Sequence, residues 1–396
     1  MPVPARGNYA GMVMTPLRIG ICVPPMLAVP PVSYAGTERV VGALVSELHR
    51  RGHRVTLFAA GDSEVDCELV PTIPASLWSI DYRGDISNYM ALTVAKVWHE
   101  QERFDVIHSH LETTAFPFAR HCATPVVTTL HGRLDVAGIP ALMTEFTDIP
   151  LVAISRNQRR WAPHANWVAT IHHGLYLEQV PFSDKVGEYL AFVGRVAPEK
   201  GVRQAIELAR QVGLPLRMVA KVYDDAERVH YEKIVAPAVS EGIVEFLGEL
   251  PPAQRDPVLA GARATLMLGQ WPEPFGLVAI ESMAAGTPVI ARRAGALTET
   301  IEDGVDGYLI DDLTEAALAI ELVGELDRTE IRRRAIERFS TARMVDDYER
   351  VYRSLIEERA AMSRRPPVGS MIPKSNGSGT NAQVPVEEMQ GVTPGT

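Results

Sequence analysis

Cysteine is scarce. The chain has 396 residues and 3 cysteines, Cys22, Cys67 and Cys122, with no CxxC pair and an odd total. That does not build a disulfide framework, and buried, reduced thiols in a cytoplasmic protein are the expectation. Long apolar runs are missing too: none approaches the ~18–20 residues of a transmembrane helix. The N-terminal stretch carries Arg6 but lacks the apolar segment of a signal peptide, and residues 1–13 are expected to be a tail. Basic charge is in the minority, with 39 Lys and Arg against 49 Asp and Glu and a formal net charge of −10. A broad nucleic-acid footprint is therefore not expected, although a phosphate ligand needs only a few local cations. No GxGxxG follows the first strand, which weakens a dehydrogenase reading. Aromatic residues vanish after Ser363, where Gly, Pro, Ser and Asn recur without periodicity. Residues 361–396 read as a disordered tail.

What is present is a large apolar content, 46% of residues, enough to bury a sizeable core in two domains. Strand-like runs at 17–23, 55–60, 105–109, 125–130, 151–155 and 167–171 alternate with helical patterns. One such pattern is the stripe Val40, Val41, Leu44, Val45 and Leu48; another covers 86–103. The alternation resumes with strands at 189–193, 216–221, 244–247, 264–268, 289–292 and 307–310. Continuous apolar strands separated by helices indicate an α/β chain, its parallel sheets covered on both faces. The expected division is a first domain over 14–178, a linker over 179–188 and a second domain over 189–340. An amphipathic helix over 341–360 follows, with Met344, Tyr348, Val351, Tyr352 and Leu355 on one stripe.

Chemistry concentrates around Glu273-Pro-Phe-Gly-Leu-Val-Ala-Ile-Glu281 and the Ser-Met-Ala-Ala-Gly286-Thr-Pro288-Val-Ile-Ala291 that follows. The pattern predicts a loop through Phe275 and Gly276, a helix from about Leu277 to Ala285, and a left-handed Gly286 just past its end. The helix start offers unpaired amides to an anion, and Glu273 and Glu281 offer acceptors to sugar hydroxyls. Anion and polyol in one place suggest a sugar nucleotide. A second anion site is expected where a strand ends at Gly194-Arg195 and Pro198-Glu-Lys200-Gly201 opens a helix. His131 stands at the mouth of a strand, followed by Gly132. His108 and His110 fall on one face of a strand with no third ligand at metal spacing, so one is expected in the core and the other on the cleft. Arg156, Arg159, Arg160 and Trp161 read as a solvated basic face, with contact to an anionic acceptor or a weak peripheral membrane contact as the alternative.

The Glu273 to Ala291 stretch resembles the signature of the family 4 retaining glycosyltransferases, as does Gly-Arg195-x4-Lys200-Gly ahead of it. Glu299 and Asp303-Gly-Val-Asp-Gly307 fit the same pattern. The resemblance implies the GT-B fold: two facing, doubly wound Rossmann-like domains, with the C-terminal helix crossing back onto the first. It implies transfer of a hexose from a uridine or guanosine diphosphate sugar to an acceptor hydroxyl, with retention and without a metal or other cofactor. No Asp-x-Asp occurs to bridge one. By resemblance Arg195 and Lys200 hold the diphosphate, with the amides near Gly276 and Leu277 and the neighbouring Phe275. Glu273 meets the sugar, Glu281 the ribose, and His131 faces the transferred sugar. Two motifs depart from the family. Ala35-Gly36-Thr37-Glu38-Arg39 stands where Gly-Gly-x-Glu-Arg is usual, leaving Gly36 as the donor-loop residue, and His172-His173-Gly174 replaces Pro-Asn-Gly. The acceptor is not legible, and an epimerase of similar fold or a non-catalytic sugar-nucleotide binder are the alternatives.

Overall fold

The computed structural model describes residues 15–32 and 35–363. The expected tail residues 1–13 and 364–396, and Ser33 and Tyr34 of the first loop, lie outside the described residues. Seven parallel strands form the first sheet: β1 (Arg18–Cys22), β2 (Arg54–Ala60), β3 (Glu68–Ile73), β4 (Val106–Ser109), β5 (Val126–Leu130), β6 (Leu151–Ala153) and β7 (Trp167–Thr170). Their spatial order is β3-β2-β1-β4-β5-β6-β7. The second sheet has six: β8 (Leu190–Arg195), β9 (Leu216–Lys221), β10 (Val244–Gly248), β11 (Ala264–Met267), β12 (Val289–Arg292) and β13 (Gly307–Ile310), in the order β10-β9-β8-β11-β12-β13.

Both orders reverse beside their first strand, between β1 and β4 and between β8 and β11. The loops after β1 and β4, and after β8 and β11, leave in opposite directions there and open a crevice beyond the carboxyl ends of the strands. Burial of both faces explains the unbroken apolar runs: every residue of β5 is buried. β3 has no counterpart among the strands expected from sequence. Its Pro71 interrupts the apolar pattern, and the strand lies at the sheet edge, where a missing amide is tolerated.

The helix Thr37–Arg50 packs Val40, Val41, Leu44 and Leu48 into the core. The long last helix, Thr341–Ser363, runs three residues into the stretch expected as tail. It follows a bridge between Leu175 and Ser340, which ties the end of the first half to the end of the second. Its Tyr348 and Tyr352 are fully buried against the first sheet. The Tyr352 hydroxyl lies 2.7 Å from His108 Nδ1, and the Tyr348 hydroxyl 2.9 Å from Thr129 Oγ1. Arg51, beyond the end of the first helix, donates to Asp346 at 2.6 Å and Glu349 at 2.8 Å. The second half of the chain thus reaches back and clasps the first sheet. Between the halves, Arg328 donates to the Ser183 carbonyl at 2.8 Å and Arg332 to that of Val180, also at 2.8 Å. The connecting stretch is held against the second half.

Candidate active site

A cavity of about 420 Å³ lies between the two halves, lined from both. Its floor is the loop after β11 and the helix Leu277–Ala284. Gly276 enters that helix at φ +92°, and Gly286 leaves it at φ +82°, the left-handed position expected for it. Gly36 comes from the first half to meet this helix start: a Cβ on it would sit 3.6 Å from Leu277 Cδ1. Gly36, Phe275, Gly276 and Leu277 therefore share one wall.

Lys200 ends a short turn, Pro198–Lys200, instead of lying in the first turn of a regular helix. Gly201 at φ +77° redirects the chain, and a side chain there would strike the backbone of Leu268. The result aims Lys200 into the cavity. Its Nζ lies 2.9 Å from Glu273 Oε2 and 4.4 Å from the ring centre of Trp271. Arg133, from the first half, approaches the same indole at 5.5 Å. A cation over an aromatic face is held electrostatically, so Trp271 links the two halves at this lip.

Arg195 is not brought to the cavity wall. Its guanidinium pairs with Glu199 and with the buried Glu227, each at 2.8 Å. A buried carboxylate is costly without a counter-charge, and Glu227 occupies the arginine that the sequence pattern directs toward a ligand. Another arginine lies closer. Arg255, buried in the helix Pro252–Ala260, lines the cavity and donates to Glu281 at 2.7 Å. Arg39, from the first helix, pairs with the same carboxylate across the cleft. Burial would push the Glu281 carboxyl up, but the two guanidiniums outweigh it and hold it below the ordinary range. Glu281 Oε2 is buried and has no partner among the described residues.

His131 stands on the cavity wall just past β5. Its amide and that of Gly132 donate to Glu112 Oε1 at 2.9 and 3.2 Å. Burial pushes the Glu112 carboxyl up to about 7 against those two amides. The His131 ring touches two further histidines. Nε2 is 2.8 Å from His110 Nδ1, and the ring stacks on His173 with centres 5.1 Å apart. His173 in turn meets the Phe275 ring edge-on at 4.9 Å. Burial pushes His131 down to about 3, and it lowers His110 and His173 well below their ordinary value.

The expectation for the first histidine pair needs correcting. Both His108 and His110 are buried, and neither lines the cavity. His110 sits behind His131 because the loop after β5 places the later ring between it and the opening. Among the described residues no group of three or more His, Cys, Asp or Glu is placed to hold a metal. Near the basic cluster, the amides of Arg156 and Asn157 donate to Glu299 at 2.8 and 2.6 Å, so a carboxylate of the second half already caps that short helix. Trp161 is half exposed. No described helix is long and apolar enough to cross a membrane.

Arg39, Arg255, Trp271 and His173 received no role from the sequence. Arg39 and His173 belong to the two motifs that depart from the family, which is a usable signal. Arg255 had none, since one arginine in a helical pattern looks like a solvated residue.

Two Rossmann-like sheets facing across a cleft, with the last helix returning to the first, define a GT-B glycosyltransferase. Residues 34–176 match the family model Glycosyltransferase Family 4, and 178–339 match Glycosyl transferases group 1. The chain belongs to the family 4 glycosyltransferases. It is 26% identical over 377 residues to a D-inositol 3-phosphate glycosyltransferase of Mycolicibacterium smegmatis, covering 81% of this chain and 86% of that one. It is 25% identical over 376 residues to a phosphatidyl-myo-inositol mannosyltransferase of Mycobacterium leprae, covering 86% and 97%. Among solved structures it resembles AviGT4, a glycosyltransferase of avilamycin A biosynthesis, with TM-score 0.65, 23% identity and coverage of 86% and 98%. Anabaena HepE, solved with UDP-glucose, matches with TM-score 0.67, 17% identity and coverage of 85% and 100%.

Proposed function

We propose that this glycosyltransferase moves a hexose from a nucleoside-diphosphate sugar to an acceptor hydroxyl, with retention at the anomeric carbon. The observation that carries this reading is the convergence of Lys200, Glu273, Glu281 and His131 on one cavity between the sheets. Bound UDP-glucose in HepE supports a uridine diphosphate sugar as the first donor to test, with guanosine diphosphate sugars second. As the bond from the anomeric carbon to the diphosphate breaks, negative charge grows on the leaving oxygens. Lys200 and the amides at the start of the Leu277–Ala284 helix are fixed there in advance, which is how such a site lowers a barrier. Arg195 joins them once the donor diphosphate displaces Glu199 or Glu227. Glu273 takes hydrogen bonds from the sugar, and the spare Oε2 of Glu281 takes one from the ribose.

Both cavity carboxylates are tied to cations, Glu273 to Lys200 and Glu281 to Arg39 and Arg255. Neither is a free nucleophile, which favours departure and attack on one face of the sugar. The acceptor oxygen bonds to the anomeric carbon as the diphosphate leaves, and its proton passes to a diphosphate oxygen. The names of the matched relatives point to a cyclitol or its phosphate as the first acceptor to test. Incubation with UDP- and GDP-hexoses, followed by phosphorus and proton NMR, tests the reading. Release of nucleoside diphosphate with an α-linked product from an α-linked donor is expected; an inverted product or an epimerised donor contradicts it.

A further inference from the structure

The three histidines behind and beside the cavity carry a second conclusion, which rests on His131 facing the transferred sugar. His110 and His131 share one hydrogen bond, Nδ1 to Nε2 at 2.8 Å. Each ring has its other nitrogen, His110 Nε2 and His131 Nδ1, buried without a partner among the described residues. Burial keeps both rings neutral, so each carries one N–H. Only two arrangements remain. If His131 donates to His110, the proton of His110 sits on Nε2, inside the core, where nothing receives it. If His110 donates to His131, the unpaired N–H is His131 Nδ1, on the ring that lines the cavity.

A buried N–H left permanently without an acceptor costs more than one that a substrate oxygen can take. We infer that His110 is a positioning residue: it donates from Nδ1 to His131 Nε2 and so fixes His131 as the tautomer whose Nδ1–H is offered to an oxygen of the bound sugar. His173 completes the arrangement by stacking on His131 at 20° between ring planes and braced by Phe275. The ring can therefore neither rotate nor exchange its two nitrogens without breaking both contacts. His108 shares the strand face of His110 but not this role. His108 has both nitrogens occupied, by Tyr352 and Thr129, each at 2.7 Å.

Nitrogen-15 NMR of the ring nitrogens in the wild-type protein reads the tautomer directly. A protonated Nδ1 and a bare Nε2 on His131 are expected, and a protonated Nε2 overturns the assignment. Two variants add a functional readout. His110→Leu fills the site but cannot donate, and kcat should fall about tenfold with donor KM within about twofold. His110→Asn places an amide donor where Nδ1 stood and should restore turnover to within about threefold of wild type. Equal loss in both variants, with normal circular dichroism, overturns the positioning role. The NMR result is independent of turnover, so failure of the tautomer assignment and failure of the transferase reading show separately.

Discussion

Acidification should unfold this protein through its buried histidines. His108 and His131 are pushed down to about 3 by burial, and His110 and His173 are shifted in the same direction. In the unfolded chain each ring titrates near an ordinary value of about 6.5. Between the folded values and 6.5 the unfolded chain binds more protons than the folded one, so stability rises with pH there and is lost as pH falls. Glu112 works in the opposite sense. With its folded value raised to about 7, it holds a proton in the window where an unfolded glutamate has released it. Four rings against this one carboxyl leave a loss of roughly 3 kcal/mol from pH 6.5 to 5.5. That is a large share of the 5–15 kcal/mol typical of a folded domain. Urea midpoints at fixed ionic strength should fall by about 1 M over this interval. His173→Asn, which installs the residue usual in the family, should reduce the pH slope by about a third. A flat midpoint between pH 7 and 5 would refute the reasoning, because with Glu112 offsetting about one ring it would require the other three to be protonated in the folded state.

Lys200→Ala should lower kcat/KM on the order of 10²-fold if, as proposed, its charge is set against the leaving diphosphate, with far-UV circular dichroism unchanged. Arg195→Ala should do the same only if Glu199 and Glu227 release it on donor binding, so a normal rate in steady-state assays removes Arg195 from the mechanism. Transfer should survive EDTA if, as proposed, Lys200 and a released Arg195 take the place of an Asp-x-Asp metal bridge; loss restored by Mg²⁺ or Mn²⁺ would show otherwise. Glu281→Ala should destabilise the fold by roughly 2–3 kcal/mol in urea titrations, because it removes the carboxylate paired with Arg39 and leaves the buried Arg255 with Asp256 alone.

Much of this is legible in the sequence. Periodicity alone marks the strands that flank the cavity, because parallel strands buried on both faces read as unbroken apolar runs. Gly276 and Gly286 were placed by the turn chemistry that brackets the helix between them. β3 escaped because an edge strand with Pro71 lacks that run. The outcome for His110 and Arg195 was hidden for a different reason. Strand spacing puts His110 on the same face as His108, but only the fold shows that His131 comes to stand in front of it. A motif places Arg195 beside a phosphate site, but the competing claim of Glu227 is set by a helix more than thirty residues later. Arg39 and Glu281 meet across the cleft, and no local pattern joins two residues so far apart in the chain.

The division of labour across the cleft has one direct measurement. On the proposed reading, nucleotide contacts fall on the second half of the chain, whereas His131 belongs to the first and faces the sugar only when both halves enclose it. Calorimetric titration of UDP and GDP into wild type and His131→Ala, beside the transferase rate of each, separates the two roles. Diphosphate affinity should be unchanged in the variant while turnover falls on the order of 10²-fold. Normal transfer by His131→Ala, or diphosphate affinity lost together with turnover, would contradict it.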